Sequence, residues 1–120
     1  MQSLSREQTR NLINDRDDLT IVETLDERCF DKYHLPGARN VPLDDSFEAN
    51  IQSVAPEKSA PVLVYCMDAE CNASSKAAKI LEGLGYTEVY EYEAGKVDWK
   101  EAGLPIEAPS VEMSDANRGR

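Results

Sequence analysis

Aromatic residues make up only 7% of the 120-residue chain, and histidine occurs once. No apolar run approaches the ~18 residues that a membrane-spanning helix requires; the longest, Val62 to Cys66, has the length of a strand. Positive charge is also scarce. The 13 Lys and Arg residues stand against 23 Asp and Glu, a formal net charge of -10. Such a surface repels phosphate backbones and anionic headgroups, so neither nucleic acid nor a membrane is expected as a partner. Cysteine is present three times, an odd number that does not make a disulfide framework. The opening Met1-Gln2-Ser3-Leu4-Ser5-Arg6-Glu7 lacks the apolar stretch of a secretory signal, and a cytoplasmic protein with reduced thiols is expected. One histidine and a lone C-x4-C pair cannot supply the four ligands of a zinc site, so no metal and no cofactor is expected.

What remains is enough for one domain and too little for two. With 41% hydrophobic residues, its core should be aliphatic. Ser5-Arg6-Glu7-Gln8 reads as a capping box, followed by Leu12 and Ile13 on one face, and predicts a helix to about Asn14. Leu19 to Glu23 is β-branched and short, and is expected to be the first strand. Leu35-Pro36-Gly37-Ala38 marks a turn, Arg39 to Pro42 a small strand, and Phe47 to Val54 a helix stopped by Pro56. Pro61 to Cys66 is apolar without alternation, as in a parallel strand covered on both faces, and should lie mid-sheet. Ala77, Ala78, Ile80, Leu81 and Leu84 recur at helical spacing from Ser74 to Leu84, with Gly85 as the C-terminal cap. Val89 to Tyr92 is a last strand and Val97 to Ala102 a last helix. From Pro109 the pattern stops, so residues 1–108 are expected to form the domain and 109–120 a flexible tail.

Strands alternating with helices predict an α/β domain with a mostly parallel sheet. Ligands of such sheets bind beyond the carboxyl ends of the strands, and Cys66 stands at that end of the central one. The loop after it, Met67 to Ala73, can curl its backbone N–H groups inward, and the helix that follows adds the partial positive charge of its N-terminus. Both would lower a thiol pKa, as a nucleophilic cysteine requires. Spacing alone leaves open an inert Cys66 packed as a small hydrophobe.

The stretch His34-Leu35-Pro36-Gly37-Ala38-Arg39-Asn40-Val41-Pro42 resembles the first signature of the rhodanese-like family. Val64-Tyr65-Cys66, followed by Ala77-Ala78, Leu81, Leu84-Gly85-Tyr86, Val89-Tyr90, Gly95, Trp99 and Gly103-Leu104-Pro105, resembles its second half. The match covers about Leu19 to Ile106. It implies a single rhodanese-like domain, with a five-stranded, mostly parallel sheet flanked by helices on both faces. It also implies a sulfurtransferase, in which Cys66 is catalytic and carries sulfane sulfur as a persulfide. The substrate-binding loop would be Met67, Asp68, Ala69, Glu70, Cys71, Asn72, Ala73 and Ser74. The implied partners are a small sulfane-sulfur donor, a thiophilic acceptor such as a thiol or cyanide, and a protein that itself carries a persulfide.

Departures from the pattern narrow this reading. The loop from Cys66 to Ser74 is longer than the family's common short loop, lacks its glycine, and contains no basic residue. Weak thiosulfate recognition is expected. A phosphatase or arsenate-reductase reading ranks lower still, because the arginine that would hold the oxyanion is absent. Asp68 and Glu70 are expected to face solvent. Of the basic residues that could lie near the site (Arg39, Lys76, Lys79 and Lys96), Lys96 is the best candidate to offset them. Glu23 replaces the family's usual aspartate and Leu25 its frequent arginine, so a common structural ion pair is expected to be missing. Ala94 replaces the first of two usual glycines. Cys71 is either a resolving thiol for Cys66 or a packing residue; as a resolving thiol it would allow a non-catalytic, redox-responsive module. Cys29 is expected in the core, His34 in a structural hydrogen bond, and Trp99, Tyr90 and Tyr92 in packing.

Overall fold

In the computed structural model, which describes residues 1–108, ten elements alternate along the chain. They are β1 (Gln2–Leu4), α1 (Arg6–Asp15), β2 (Thr20–Glu23), α2 (Glu27–Lys32), β3 (Arg39–Asn40), α3 (Phe47–Val54), β4 (Val62–Tyr65), α4 (Ala73–Gly83), β5 (Val89–Tyr92) and α5 (Gly95–Glu101). The tail expected at 109–120 lies outside the described residues. The strands form one parallel sheet in the order β1-β5-β4-β2-β3, which places β4 at its centre as its unbroken apolar run predicts.

Local chemistry sets the element ends. Ser5 Oγ accepts the Gln8 N–H at 3.1 Å while Gln8 Oε1 accepts the Ser5 N–H at 2.9 Å, the reciprocal capping box that starts α1. At the other end of α4, Gly85 takes φ +100°. The Tyr86 N–H reaches the Leu81 carbonyl at 3.1 Å and the Gly85 N–H the Glu82 carbonyl at 3.1 Å, a Schellman closure that only glycine enters without strain.

One correction concerns strand count. The segment expected as the first strand is the second, because Gln2–Leu4 adds an edge strand in register with Tyr90–Tyr92. Within β1 only Leu4 is buried, so nothing in its own hydrophobic pattern announces it. Long-range pairing with β5 makes it a strand.

Side chains alternate across the sheet. On one face Val22, Val62, Val64 and Val89 pack with Phe47 and Ile51 of α3 and Ala77, Ala78 and Leu81 of α4. On the other, Leu4, Ile21, Leu63, Tyr65 and Tyr92 pack with Trp99 of α5, and with Leu12 and Ile13 of α1. The sheet is therefore covered on both faces. Connections after β2 and β4 leave toward opposite faces, so the crevice between their carboxyl ends is the topological switch point of the sheet.

Candidate active site

Cys66 follows β4 directly at that switch point. It continues the Val62, Val64 face and is fully buried, against α4. The loop after it is held at several points. The Cys71 N–H reaches the Asp68 carbonyl at 3.1 Å, and the Glu70 N–H reaches Asp68 Oδ1 at 3.1 Å. From outside the loop, α5 anchors its first residues: the Lys96 N–H donates to the Cys66 carbonyl and the Val97 N–H to the Met67 carbonyl, each at 3.0 Å. Gly95 makes this approach feasible. It sits at φ +80°, and a Cβ there would lie 2.5 Å from the Met67 carbonyl oxygen. The replacement of the preceding glycine by Ala94 is accommodated at φ −65°, in ordinary helical backbone.

Around the sulfur the groups are not those expected. Cys66 Sγ donates to the Cys71 carbonyl oxygen at 3.3 Å and lies 3.5 Å from Ser74 Oγ. Burial pushes the Cys66 thiol above its ordinary value, and the neighbouring Cys71 pushes it further; the Ser74 hydroxyl and backbone N–H pull it partly back. The curled loop thus shields a thiol at rest, where a pKa lowered by inward N–H groups was expected. Asn72, at the N-cap of α4, makes no side-chain cap bond, so the first-turn amides of the helix have no side-chain acceptor there. All three cysteines are free.

Of the acidic loop residues, Glu70 is exposed as expected, whereas Asp68 is half-buried and ties the turn. Met67, Cys71 and Ala73 are half-buried, Ala69 and Asn72 exposed, and Ser74 fully buried. Beneath the loop the structure adds a residue that sequence reasoning missed. Glu91, 3% exposed on β5, accepts the Ser74 hydroxyl at 2.7 Å and the Ser75 hydroxyl at 2.8 Å through Oε2. A signal was present in the sequence: Glu91 alternates with Val89 on a strand buried on both faces, where a carboxylate is out of place.

Lys96 does not offset the acidic loop. Its side chain runs to the opposite face of the sheet, where Nζ donates to Glu23 Oε2 at 3.0 Å and to the carbonyls of Cys29 and Tyr33 at 2.7 and 2.8 Å. Glu23 also accepts the Tyr65 hydroxyl at 2.8 Å. Leu25 offers Glu23 no cation, and Glu23 is paired instead with Lys96 of α5. Lys76 and Lys79 on α4 and Arg39 on β3 are exposed. Cys29 is half-buried on α2 and belongs to neither core, because this six-residue helix, capped by Asp26 through the Cys29 N–H, lies at the surface with no fully buried residue. His34 is structural as expected: Nδ1 donates to the Phe30 carbonyl at 2.8 Å and the ring stacks on Phe30 at 3.7 Å. Trp99 and Tyr92 are buried and Tyr90 is half-buried. A cavity of about 570 Å³ between α1 and Ala102–Leu104 is lined by no nucleophile and by no residue of the cysteine loop.

The arrangement is an open parallel α/β sheet with a cysteine at its switch point, the loop curled over it and a helix N-terminus behind. The family model for the rhodanese-like domain matches residues 5–102, and the chain belongs to this family. It is 34% identical over 87 residues to the thiosulfate sulfurtransferase GlpE of Pseudomonas putida, covering 72% of this chain and 74% of that protein. It is also 26% identical over 90 residues to the HTH-type transcriptional regulator Rv0324 of Mycobacterium tuberculosis; that match covers 75% of this chain but 38% of the regulator. Among solved structures, a thiosulfate sulfurtransferase from Pseudomonas aeruginosa superposes with a TM-score of 0.77 at 25% identity, over 90% of this chain and 20% of that one. The Alr3790 protein from Anabaena sp. superposes with a TM-score of 0.76 at 23% identity, over 96% of this chain and 87% of that one, a likeness of fold.

Proposed function

We propose that the protein is a sulfurtransferase in which Cys66 carries sulfane sulfur. The observation that supports it best is the place of Cys66, the thiol at the carboxyl end of the central strand and against the uncapped N-terminus of α4. In the loading step the Cys66 thiolate attacks the outer sulfur of a persulfide donor. A new S–S bond forms, the donor's S–S bond breaks, and the donor thiolate leaves. In the unloading step an acceptor thiolate or cyanide attacks the outer sulfur and Cys66 leaves as the thiolate, so no net oxidation occurs. The amides at the start of α4 face the charge that appears on sulfur in both steps.

Donor choice follows from the loop. No residue from Met67 to Ser74 carries a positive charge, so the sulfonate end of thiosulfate finds no charge-assisted partner there, and small or protein persulfides are the proposed donors. A reducing, cytoplasmic setting suits free thiols of this kind.

A second reading rests on Cys71, whose thiol is close enough to raise that of Cys66. On loaded protein, a Cys71 thiolate attacking the inner sulfur would form a Cys66–Cys71 disulfide and expel hydrosulfide, making the domain a redox-responsive module. Intact-mass measurement after incubation with a persulfide donor separates the two. A carrier gains one sulfur and loses it to added thiol or cyanide, whereas the redox module loses two hydrogens. A wild-type protein that gains no sulfur overturns the transferase reading.

A further inference from the structure

Glu91 is buried and, among the described residues, has no cation paired with it. Its same-face neighbour Val89 lies in the aliphatic core, and in register with it on β4 stands Val64. Among the described residues its side-chain hydrogen-bond partners are two hydroxyls, Ser74 at 2.7 Å and Ser75 at 2.8 Å. Ser74 has a second contact, Cys66 Sγ at 3.5 Å. A serine hydroxyl carries one hydrogen. With that hydrogen directed at Glu91, the oxygen offers Cys66 only lone pairs, so the single thiol hydrogen, which rests on the Cys71 carbonyl oxygen at 3.3 Å, reaches Ser74 Oγ by turning about the Cβ–Sγ bond. Once the S–H has turned from the Cys71 carbonyl, the chain of donors runs in one direction, from Cys66 through Ser74, and ends on a carboxylate.

This direction matters because the loop holds no cation to stabilise a thiolate. Loss of the Cys66 proton to solvent would leave two anions bridged by a single hydroxyl, which like-charge repulsion opposes. Transfer along the chain avoids that. The Cys66 S–H bond breaks as a new bond forms from that hydrogen to Ser74 Oγ, while the original Ser74 O–H breaks and Glu91 Oε2 gains its hydrogen. One negative charge moves from carboxylate to sulfur and none is created. We propose that Glu91 is the proton acceptor for Cys66, a positioning residue that acts through Ser74 to generate the sulfur nucleophile. This rests on the sulfurtransferase reading of Cys66 and adds to it the source of the thiolate.

Other charged or titratable groups surround the chain. Cys71, Asp68 and Glu70 come from the loop. Glu93, in the turn just after β5, accepts the Ser3 hydroxyl of β1 at 3.4 Å, and α4 contributes Lys76 and Lys79 at exposed positions. Among the described residues, none of these bridges Cys66 to Glu91 as Ser74 does.

Alkylation of Cys66 by iodoacetamide, resolved by peptide mass spectrometry, reads the thiolate and needs no sulfur donor. While the Cys66–Glu91 pair shares one proton, the form with charge on sulfur has a constant population, so the wild-type rate is flat through neutral pH before it rises in alkali. In Glu91→Gln the thiolate arises only by ordinary ionisation. Its rate should climb about tenfold per pH unit and fall about tenfold or more below wild type at neutral pH. A carboxylate that merely stands nearby would hold the thiolate back by repulsion, so its neutralisation would speed alkylation. A faster Glu91→Gln, or one with the wild-type rate and profile, overturns the proposal. Ser74→Ala keeps the charge and removes the bridge, and should give the same slow, steep profile. If Glu91→Gln does not fold, a wild-type profile in Ser74→Ala is enough to overturn it. Sulfur loading is scored separately: a wild type with the flat profile that takes up no sulfur overturns the transferase reading and leaves the relay standing.

Discussion

Replacing Lys96 with methionine keeps the aliphatic stem in place and removes the ammonium, leaving Glu23 buried with, among the described residues, only the Tyr65 hydroxyl to serve it. The pair is almost wholly enclosed, with side-chain exposures of 1% and 0%. Removing one partner of such a pair costs about 3–5 kcal/mol, because the remaining charge stays desolvated. The carbonyls of Cys29 and Tyr33 lose their donor as well. At about 4 °C per kcal/mol for a domain of this size, the melting temperature should fall by roughly 12–20 °C. The loss should depend on pH with a definite sign. Burial holds the Glu23 carboxyl above its ordinary value, although Lys96 and Tyr65 pull it down, and removal of Lys96 raises it further. A raised carboxyl favours the fold once protonated, so this contribution is full below the unfolded value of about 4.3 and is lost as pH rises through the folded one. The penalty of Lys96→Met should therefore be largest at neutral pH and shrink on acidification. Urea melts at several pH values measure it, and Glu23→Gln/Lys96→Met should recover part of the loss because the amide still accepts from Tyr65. A single-variant cost below about 1 kcal/mol, as for a surface pair, a cost that does not shrink with acid, or a double variant that is simply the sum would refute the reasoning.

Cys66→Ser should abolish sulfur loading while the fold persists; loading that maps instead to Cys29 would refute the assignment. With persulfide as reference, thiosulfate should load Cys66 about tenfold or more slowly, since a lost charge-assisted contact is worth about 1.5–3 kcal/mol; equal rates in a stopped mass-shift assay would contradict this. Gly95→Ala should cost at least about 1–2 kcal/mol from its left-handed backbone alone and should also displace the Met67 carbonyl, so both the urea midpoint and Cys66 alkylation should change. In Cys71→Ser the added-sulfur mass should outlast that of wild type without acceptor; equal decay with no Cys66–Cys71 disulfide in the digest would make Cys71 a packing residue.

Much of this fold was legible because local patterns and tertiary packing agree. Phe47–Val54 carries its helix in its own spacing and is stopped by proline, and Val62–Tyr65 is apolar on both faces because helices cover both. The first edge strand was not legible, since Gln2 and Ser3 are exposed and their extended form is set by a partner strand far along the chain. The position of Cys66 was equally readable, but its chemical state was not. Composition shows that the loop lacks a cation; it does not show that the Cys71 carbonyl turns inward to the sulfur. Lys96 shows why adjacency in sequence misleads. Its N–H does touch the cysteine segment, yet the backbone turn at Gly95 sends the side chain through to α2, so one residue serves the site with its main chain and the opposite core with its charge.

The two carboxylates buried among the described residues, Glu23 and Glu91, differ in a way that fits the proposed chemistry. Glu23 is met by an ammonium and a phenol, and a charge so paired is fixed: moving a proton onto it would strand Lys96 in the core. Glu91 is met by two hydroxyls, which stabilise its charge without opposing its transfer and carry no charge to be stranded when it leaves. An arginine in the loop would stabilise a thiolate directly and make an internal acceptor unnecessary. It would also draw the Glu91 charge into a permanent pair. On this reasoning the missing arginine and the buried Glu91 belong together: the absent cation leaves the charge at Glu91 mobile, and that mobility supplies through Ser74 what the cation would otherwise have provided.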